Sequence, residues 1–306
     1  MYFGLSEDQI FFQDNVKKFL EDNAPLDAVK KITEGADLST KDELHQGLIN
    51  LGINNILIPE ENGGLGLDLL FASAVSQSLG EGIATLPFVG PYVIAPIAIK
   101  YGASDSQKEK LFNEMSQNLI NCGVGFSEYF GSRDSSDLSI SNNKITGRTL
   151  FVLDVDFASH VMLCDKKGQI GLVSLESKGI EIIDLTTVDK TRTYKEMIFK
   201  DTPIEILDKT KISTEAAEMA LSAGRIVAAA DSLGASQAMI NKAVEYSKER
   251  KQFNRVIGSF QAVKHMCAEM TAELEPCYSL VWHAAHSFDD SHEDSKLMAC
   301  LAKSHI

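Results

Sequence analysis

The stretch with the most chemistry in its spacing is Glu249-Arg250-Lys251-Gln252-Phe253-Asn254-Arg255-Val256-Ile257-Gly258-Ser259-Phe260-Gln261, in which Arg250 and Gln261 are the candidate anion-binding residues. Arg250 is a planar cation with several N–H donors, a good match to phosphate oxygens. Gln261 falls at the start of an expected helix, where backbone N–H groups lack partners and negative charge is favoured. Such a donor set could hold the phosphate and amide groups of a cofactor. The same residues equally suit a basic turn between two helices with no ligand, and spacing alone does not separate the two readings.

Two long helices must present this stretch. Ala217, Leu221, Gly224, Ala228, Leu233 and Ile240 recur near helical spacing before it, and Val263, Met266, Met270, Leu274, Tyr278 and Val281 do so after it. Asn254 is expected to end the first helix in a left-handed conformation. Gly258 and Ser259 suit the start of the second, with Ser259 as N-cap. Pro276 predicts a kink or break near Glu275.

The bulk properties narrow the function classes. At 306 residues, two or three subdomains are expected. A formal charge of -14 argues against a nucleic-acid partner, although local donors can still hold a small anion. The cysteines at 122, 164, 267, 277 and 300 show no paired spacing. Their odd count, with no signal-peptide pattern, points to free thiols and a cytoplasmic protein. No apolar run is long enough to span a bilayer.

In chain order, residues 1–118 read as helical. Ser6 and Gln9 form a capping-box pattern, Pro25 closes the first helix, and 42–51 suits a second. The run Ile58-Pro59-Glu60-Glu61-Asn62-Gly63-Gly64-Leu65-Gly66-Leu67-Asp68 is a compact glycine-rich loop, with Asp68 able to cap the next helix. It lacks the Lys-Ser/Thr of a phosphate-binding P-loop. Residues 87–101 suit a buried helix and 104–115 a polar one. From 119 to 207, β-prone runs at 150–155, 160–163, 171–175, 180–185 and 197–199 alternate with turn signals, which argues a small sandwich or barrel. Residues 213–306 are helical again.

The Arg250 stretch, the Pro59-to-Gly66 loop and the order helices, β, helices together resemble the acyl-CoA dehydrogenases over essentially the whole chain. The resemblance implies an N-terminal α-helical domain (1–118), a middle β-barrel or sandwich domain (119–207) and a C-terminal helical bundle (213–306) that looks incomplete. It also implies that Arg250, Gln252, Phe253, Phe260 and Gln261 reach across a subunit interface to the adenosine diphosphate half of a neighbour's FAD. Where the family usually has Gly, this chain has Asn254.

The family's reaction removes two hydrogens from an acyl-CoA thioester: a carboxylate takes the α-proton and flavin the β-hydride. Most members carry that base in a C-terminal region that this chain, ending at Ile306, does not include. The same region carries a Gln-x-x-Gly-Gly segment that the family also donates to FAD. A minority place the base directly before an arginine on the helix opening the last domain; here the pair is Gly224-Arg225, and glycine is no base. Glu215 and Glu218 lie on other turns and suit a solvated helix start. Arg225 matches the family arginine near the acyl pocket. The family's Thr-Glu-Pro and Gly-Ser-Asp cluster becomes Ser127-Glu128-Tyr129 and Gly131-Ser132-Arg133-Asp134, and its aromatic-x-Thr beside the flavin ring becomes Phe151 and Leu153. Leu153 has no hydroxyl to donate.

These departures suggest an FAD-dependent acyl-CoA dehydrogenase in which this chain is a partner subunit without its own catalytic base, similar to the smaller subunit of heteromeric bacterial versions. Candidate cofactor residues are Arg250, Gln252, Phe253, Phe260, Gln261 and Ser127, and the candidate substrate residue is Arg225. His283 and His286 lie one helical turn apart, which permits shared ligation, but no third ligand among His292, Asp289 and Asp290 has a motif-like spacing, and the resemblance implies no metal. A truncated homotetramer subunit and a flavin-free assembly protein of the same fold stay open, as does whether the natural protein extends beyond Ile306.

Overall fold

The computed structural model describes residues 4–35, 38–131 and 137–306. Helices α1 (Glu7–Asn23), α2 (Leu26–Thr33), α3 (Leu38–Asn50) and α4 (Leu69–Glu81) come first. A π-helical turn over Val89–Ile94 then runs into α5 (Ala95–Gly102), followed by α6 (Asp105–Ser116). The strands are β1 (Cys122–Gly125), β2 (Ser139–Ser141), β3 (Lys144–Leu153), β4 (His160–Cys164), β5 (Ile170–Ser174), β6 (Ile180–Asp184), β7 (Tyr194–Pro203) and β8 (Glu205–Ile206). Helix α7 (Glu215–Glu249), the short strands β9 (Lys251–Gln252) and β10 (Arg255–Val256), α8 (Gln261–Asp289) and α9 (Ser295–His305) complete the chain. By contacts these elements fall into two units, one of Met1–Val29, Leu69–Ala84 and Arg225–Ile306, the other of Lys30–Asp68 and Thr85–Gly224.

In the first unit α4 is buried from Leu69 through Gly80 and acts as the axis. It crosses α7 at backbone contact. A Cβ on Gly80 would lie 1.9 Å from the Asp231 carbonyl oxygen, and one on Gly234 would lie 1.9 Å from that of Gln77. Ser76 Oγ donates across the same crossing to the Val227 carbonyl at 2.8 Å. The start of α4 is capped from far along the chain: the Asp289 carboxylate accepts from the N–H groups of Leu69 and Leu70 at 3.0 and 3.3 Å. Helix α1 begins with the expected capping box, Ser6 and Gln9 each accepting the other's backbone N–H. Helix α8 runs unbroken through Pro276. The expected break is absent because proline removes one helical hydrogen bond while the face of Leu274, Cys277, Val281 and Phe288 stays buried. Burial of that face, at about 1.5–3 kcal/mol per large side chain, outweighs the lost bond.

In the second unit the glycine-rich loop folds on itself. The N–H groups of Leu65, Gly66 and Leu67 donate to the carbonyls of Asn55, Ile58 and Ile56, so they are not offered to a phosphate. The strands form one mixed sheet in the order β6-β7-β3-β1-β4-β5-β8, with β2 on β3 and only β1–β4 parallel among the register pairs. Inward-facing Ile145, Val152, Val161, Leu163, Val173, Met197 and Phe199, all almost fully buried, build its core. Helix α6 carries a second capping box, Ser104 with Gln107, and Gln107 Nε2 ties it to the Ile206 carbonyl at 2.9 Å.

Candidate functional site

The Arg250 stretch is a tight β-hairpin rather than a helix end running to Asn254. Helix α7 stops at Glu249, and β9 and β10 pair Gln252 with Arg255 and Lys251 with Val256. The two-residue loop, Phe253 and Asn254, has φ of 53° and 63°. A loop with both residues left-handed matches strand twist, and Asn tolerates that conformation better than most residues. Asn254 is therefore left-handed as expected, but as a hairpin residue. Ser259 is not the N-cap either: the capping position is Phe260, and Ser259 Oγ donates back to the Val256 carbonyl at 2.7 Å.

The hairpin is a solvent-facing platform. Arg250, Lys251, Gln252 and Gln261 are exposed, and Phe253 is 87% exposed. The Arg250 guanidinium has no hydrogen bond or ion pair among the described residues. Phe260 supports the tip: the Arg255 guanidinium lies 3.9 Å over its ring and Phe253 meets it edge-on at 6.1 Å. The chain thus brings Arg250, Gln252, Phe253, Phe260 and Gln261 together. Arg225, half-buried on the same helix, lies 25 residues upstream of Arg250, or ~37 Å at 1.5 Å per residue. One helix cannot bring both to one end of a ligand.

Ser127 belongs to the other unit, just after β1. Its hydroxyl donates to the Leu150 carbonyl at 2.5 Å. That bond fastens a bulge in β3, where the register to β7 shifts between Thr149 and Val152 and Phe151 takes φ of 55°. Phe151 is turned outward, 48% exposed, with Tyr194 edge-on at 6.3 Å. A bulge re-aims side chains in this way. The following Leu153 brings no polar group to the rim. Ser132, Arg133 and Asp134 lie outside the described residues. At Gly224 the room for a side chain is already taken: a Cβ there would lie 2.9 Å from Ile94 Cδ1. Glu215 is exposed in the first turn of α7. Among the described residues no group of three or more His, Cys, Asp or Glu could hold a metal, and Asp289 is engaged as the cap of α4.

A buried polar cluster in the second unit has no counterpart in the sequence reading. His45 Nε2 and the Tyr92 hydroxyl are 2.8 Å apart, and the His45 ring packs edge-on against Phe157 at 4.6 Å. Asp154, left-handed at φ 60° and 8% exposed, sets its Oδ2 3.0 Å from the point a Cβ on Gly90 would occupy. Burial pushes the Asp154 carboxyl up to about 6, although Arg192 and Lys41 pull the other way. Burial likewise holds the His45 imidazole down to about 4. Lys41 is lowered by burial and lies 4.7 Å over the Phe157 ring. The cluster draws on α3, the π-helical turn, the end of β3 and the segment before β7. No local motif could have announced it.

Two family models match, "Acyl-CoA dehydrogenase, N-terminal domain" over residues 6–118 and "Acyl-CoA dehydrogenase, C-terminal domain" over residues 214–305. The chain belongs to the acyl-CoA dehydrogenase family. It is 26% identical over 286 residues to a 3-(aryl)acrylate reductase of Clostridium sporogenes, covering 85% of this chain and 74% of that protein. It is 25% identical over 333 residues to a glutaryl-CoA dehydrogenase of Desulfococcus multivorans, covering 99% and 83%. Among solved structures, butyryl-CoA dehydrogenase from Megasphaera elsdenii superposes with a TM-score of 0.86 at 22% identity, covering 100% of this chain and 85% of that one. The ChsE4-ChsE5 complex from Mycobacterium tuberculosis gives 0.86 at 19%, covering 100% and 84%. These are flavoprotein oxidoreductases by family, and the fold is theirs: N-terminal helices, a central sheet and C-terminal helices.

Proposed function

We propose that this chain works in FAD-dependent α,β-dehydrogenation of an acyl-CoA thioester, as a subunit that contributes to a shared flavin site without carrying the base. One observation carries the reading: an exposed hairpin holds the uncommitted Arg250 guanidinium, Gln252, Phe253 and Gln261 about 37 Å along α7 from Arg225. A cation and amides displayed this way fit the diphosphate and adenine edge of a cofactor held mainly by a neighbouring subunit. Arg250 would pair with the diphosphate, Gln252 and Gln261 would bond polar edges, and Phe253 would cover a ring face. The flavin, when bound, supplies the hydride acceptor.

At the α7 position before Arg225, this chain's own atoms leave no place for a base. Gly224 has no side chain, and Ile94 stands where one would begin. On this reading the α-proton leaves to a carboxylate other than one at the Gly224 position, supplied by the partner. The ring-side residues support the same division of labour, since Leu153 offers no hydroxyl and that of Ser127 is bonded to the Leu150 carbonyl. The outward, left-handed Phe151 also favours a second reading, a flavin-free assembly subunit of the same fold.

An absorption spectrum of the chain purified alone and co-purified with a second acyl-CoA dehydrogenase subunit separates these readings. Flavin bands at about 450 nm in the mixed complex alone are expected, and Arg250→Ala should lower its flavin content severalfold. Flavin retained equally by the isolated chain would refute the shared-site reading. Flavin in neither preparation would select the assembly subunit.

A further inference from the structure

We propose that Asp154 and His45 form a proton-responsive latch on the π-helical turn Val89–Ile94, and that this latch sets how the turn fills the space at Gly224 of α7. The inference does not depend on the flavin assignment.

Polar groups meet the turn at two places, one through a hydrogen bond and one through close packing. Tyr92 bonds His45 of α3 at 2.8 Å. The Asp154 carboxyl packs closely against Gly90, its Oδ2 3.0 Å from where a Cβ there would lie, so a larger residue would press the carboxyl back by a few tenths of an ångström. Phe88 and Phe157 close the cluster around the Tyr92 and His45 rings. Two of the turn's side chains face α7: Ile94 and Val89 stand 2.9 and 3.9 Å from where a Gly224 Cβ would lie. The turn is thus a single element touched by titratable groups on one side and by α7 on the other. A π-helical turn is rare and is found frequently at functional sites.

The charged groups around the latch are few. Asp154 faces Arg192 and Lys41, with the like charge of Asp156 nearby. His45 faces Asp42 and Lys41. Lys195 is committed to Asp156 at 2.6 Å and to Asp184, and Arg192 Nη1 donates to the Leu86 carbonyl at 3.2 Å, just before the turn. Burial keeps His45 neutral down to about 4, so between pH 5 and 7.5 the residue that changes charge is Asp154. A neutral carboxyl is tolerated against the Gly90 backbone. A buried anion there is not, and is drawn towards Lys41, Arg192 or water, away from the turn.

Hydrogen exchange of the full chain, corrected for intrinsic rates and read at pH 5 and 7.5, tests the latch. Peptides covering 88–95 should lose about tenfold in protection at the higher pH. Peptides covering 219–226 should follow, while those from β4 and β5 hold. Asp154→Asn, neutral throughout, should keep the low-pH protection at both values. A pH-independent wild type, a pH response that survives in D154N, or an equal loss at both values in D154N would each overturn the latch. Should D154N fail to fold by circular dichroism, Tyr92→Phe carries the test. It should lower protection of 88–95 at pH 5 to near the wild-type level at pH 7.5, and protection unchanged from wild type at pH 5 would overturn the proposal.

Discussion

Removing the Asp154 carboxylate should tilt the acid limb of the stability profile, by an amount that follows from two opposed groups. The folded Asp154 titrates at about 6 against an ordinary value of 3.8, so its contribution is full below 3.8 and is lost as pH rises to 6. Folded His45 titrates at about 4 against 6.5, so its contribution is full above 6.5 and is lost as pH falls to 4. Near pH 5 the folded pair carries one proton, on Asp154, and the unfolded pair also carries one, on the histidine. The slope of stability with pH is proportional to the difference in bound protons, so the pair contributes almost none there. In Asp154→Asn the histidine term stands alone, with a slope near 1.4 kcal/mol per pH unit and a loss on the order of 3 kcal/mol across its window. The histidine term is common to both proteins, so the stability of D154N relative to wild type should rise by the lost Asp154 term, about 3 kcal/mol in all from below pH 3.8 to above pH 6. Urea denaturation followed by circular dichroism at half-unit intervals measures this difference, and all other titrating groups cancel from it. A difference that stays constant with pH would mean that Asp154 is not buried as a neutral acid, and the reasoning fails.

Two further perturbations test the scaffold. Gly234→Ala places a methyl 1.9 Å from the Gln77 carbonyl oxygen and 2.9 Å from the Glu81 nitrogen, backbone atoms that cannot rotate aside. Overpacking costs of about 1–3 kcal/mol are a lower bound for such a site, and a thermal midpoint within a degree or two of wild type would show that the crossing is looser than described. Asp289→Ala uncaps the start of α4 and should cost about 1–2 kcal/mol in a denaturant titration; an unchanged midpoint would mean that water serves the Leu69 and Leu70 amides equally well.

Much of the fold was legible because its signals are local. Ser6 with Gln9 and Ser104 with Gln107 sit three residues apart, and each pair closes a capping box. The β-prone runs at 160–163 and 180–185 became β4 and β6 because short apolar runs between turn residues carry their own period. Helix α2, eight residues between Pro25 and a polar stretch, was too short to announce itself. The β9–β10 hairpin has two residues per strand, too few for any alternation, and its sign was only the Asn254 that had suggested a helix end. The Asp154 cluster was out of reach for another reason. Lys41, His45, Tyr92, Asp154 and Arg192 are scattered over some 150 positions, and what makes them a cluster is burial, which a polar residue does not declare in sequence. Break-and-continue features are ambiguous as well: Pro276 speaks against a helix locally, and the buried face around it decides otherwise.

The crossing of α4 and α7 also governs how well a distant group can be aimed. Arg250 lies 16 residues beyond Gly234, so α7 carries it ~24 Å past the point where the two backbones touch. Over that arm a tilt of 5° would swing the guanidinium by roughly 2 Å, several times the half-ångström range over which an N–H···O bond keeps its strength. Two absent methyl groups, at Gly80 and Gly234, let the helices meet backbone to backbone and leave the joint little angular play. The pointing accuracy of an exposed hairpin is therefore set inside the core, by residues that can never touch what the hairpin binds.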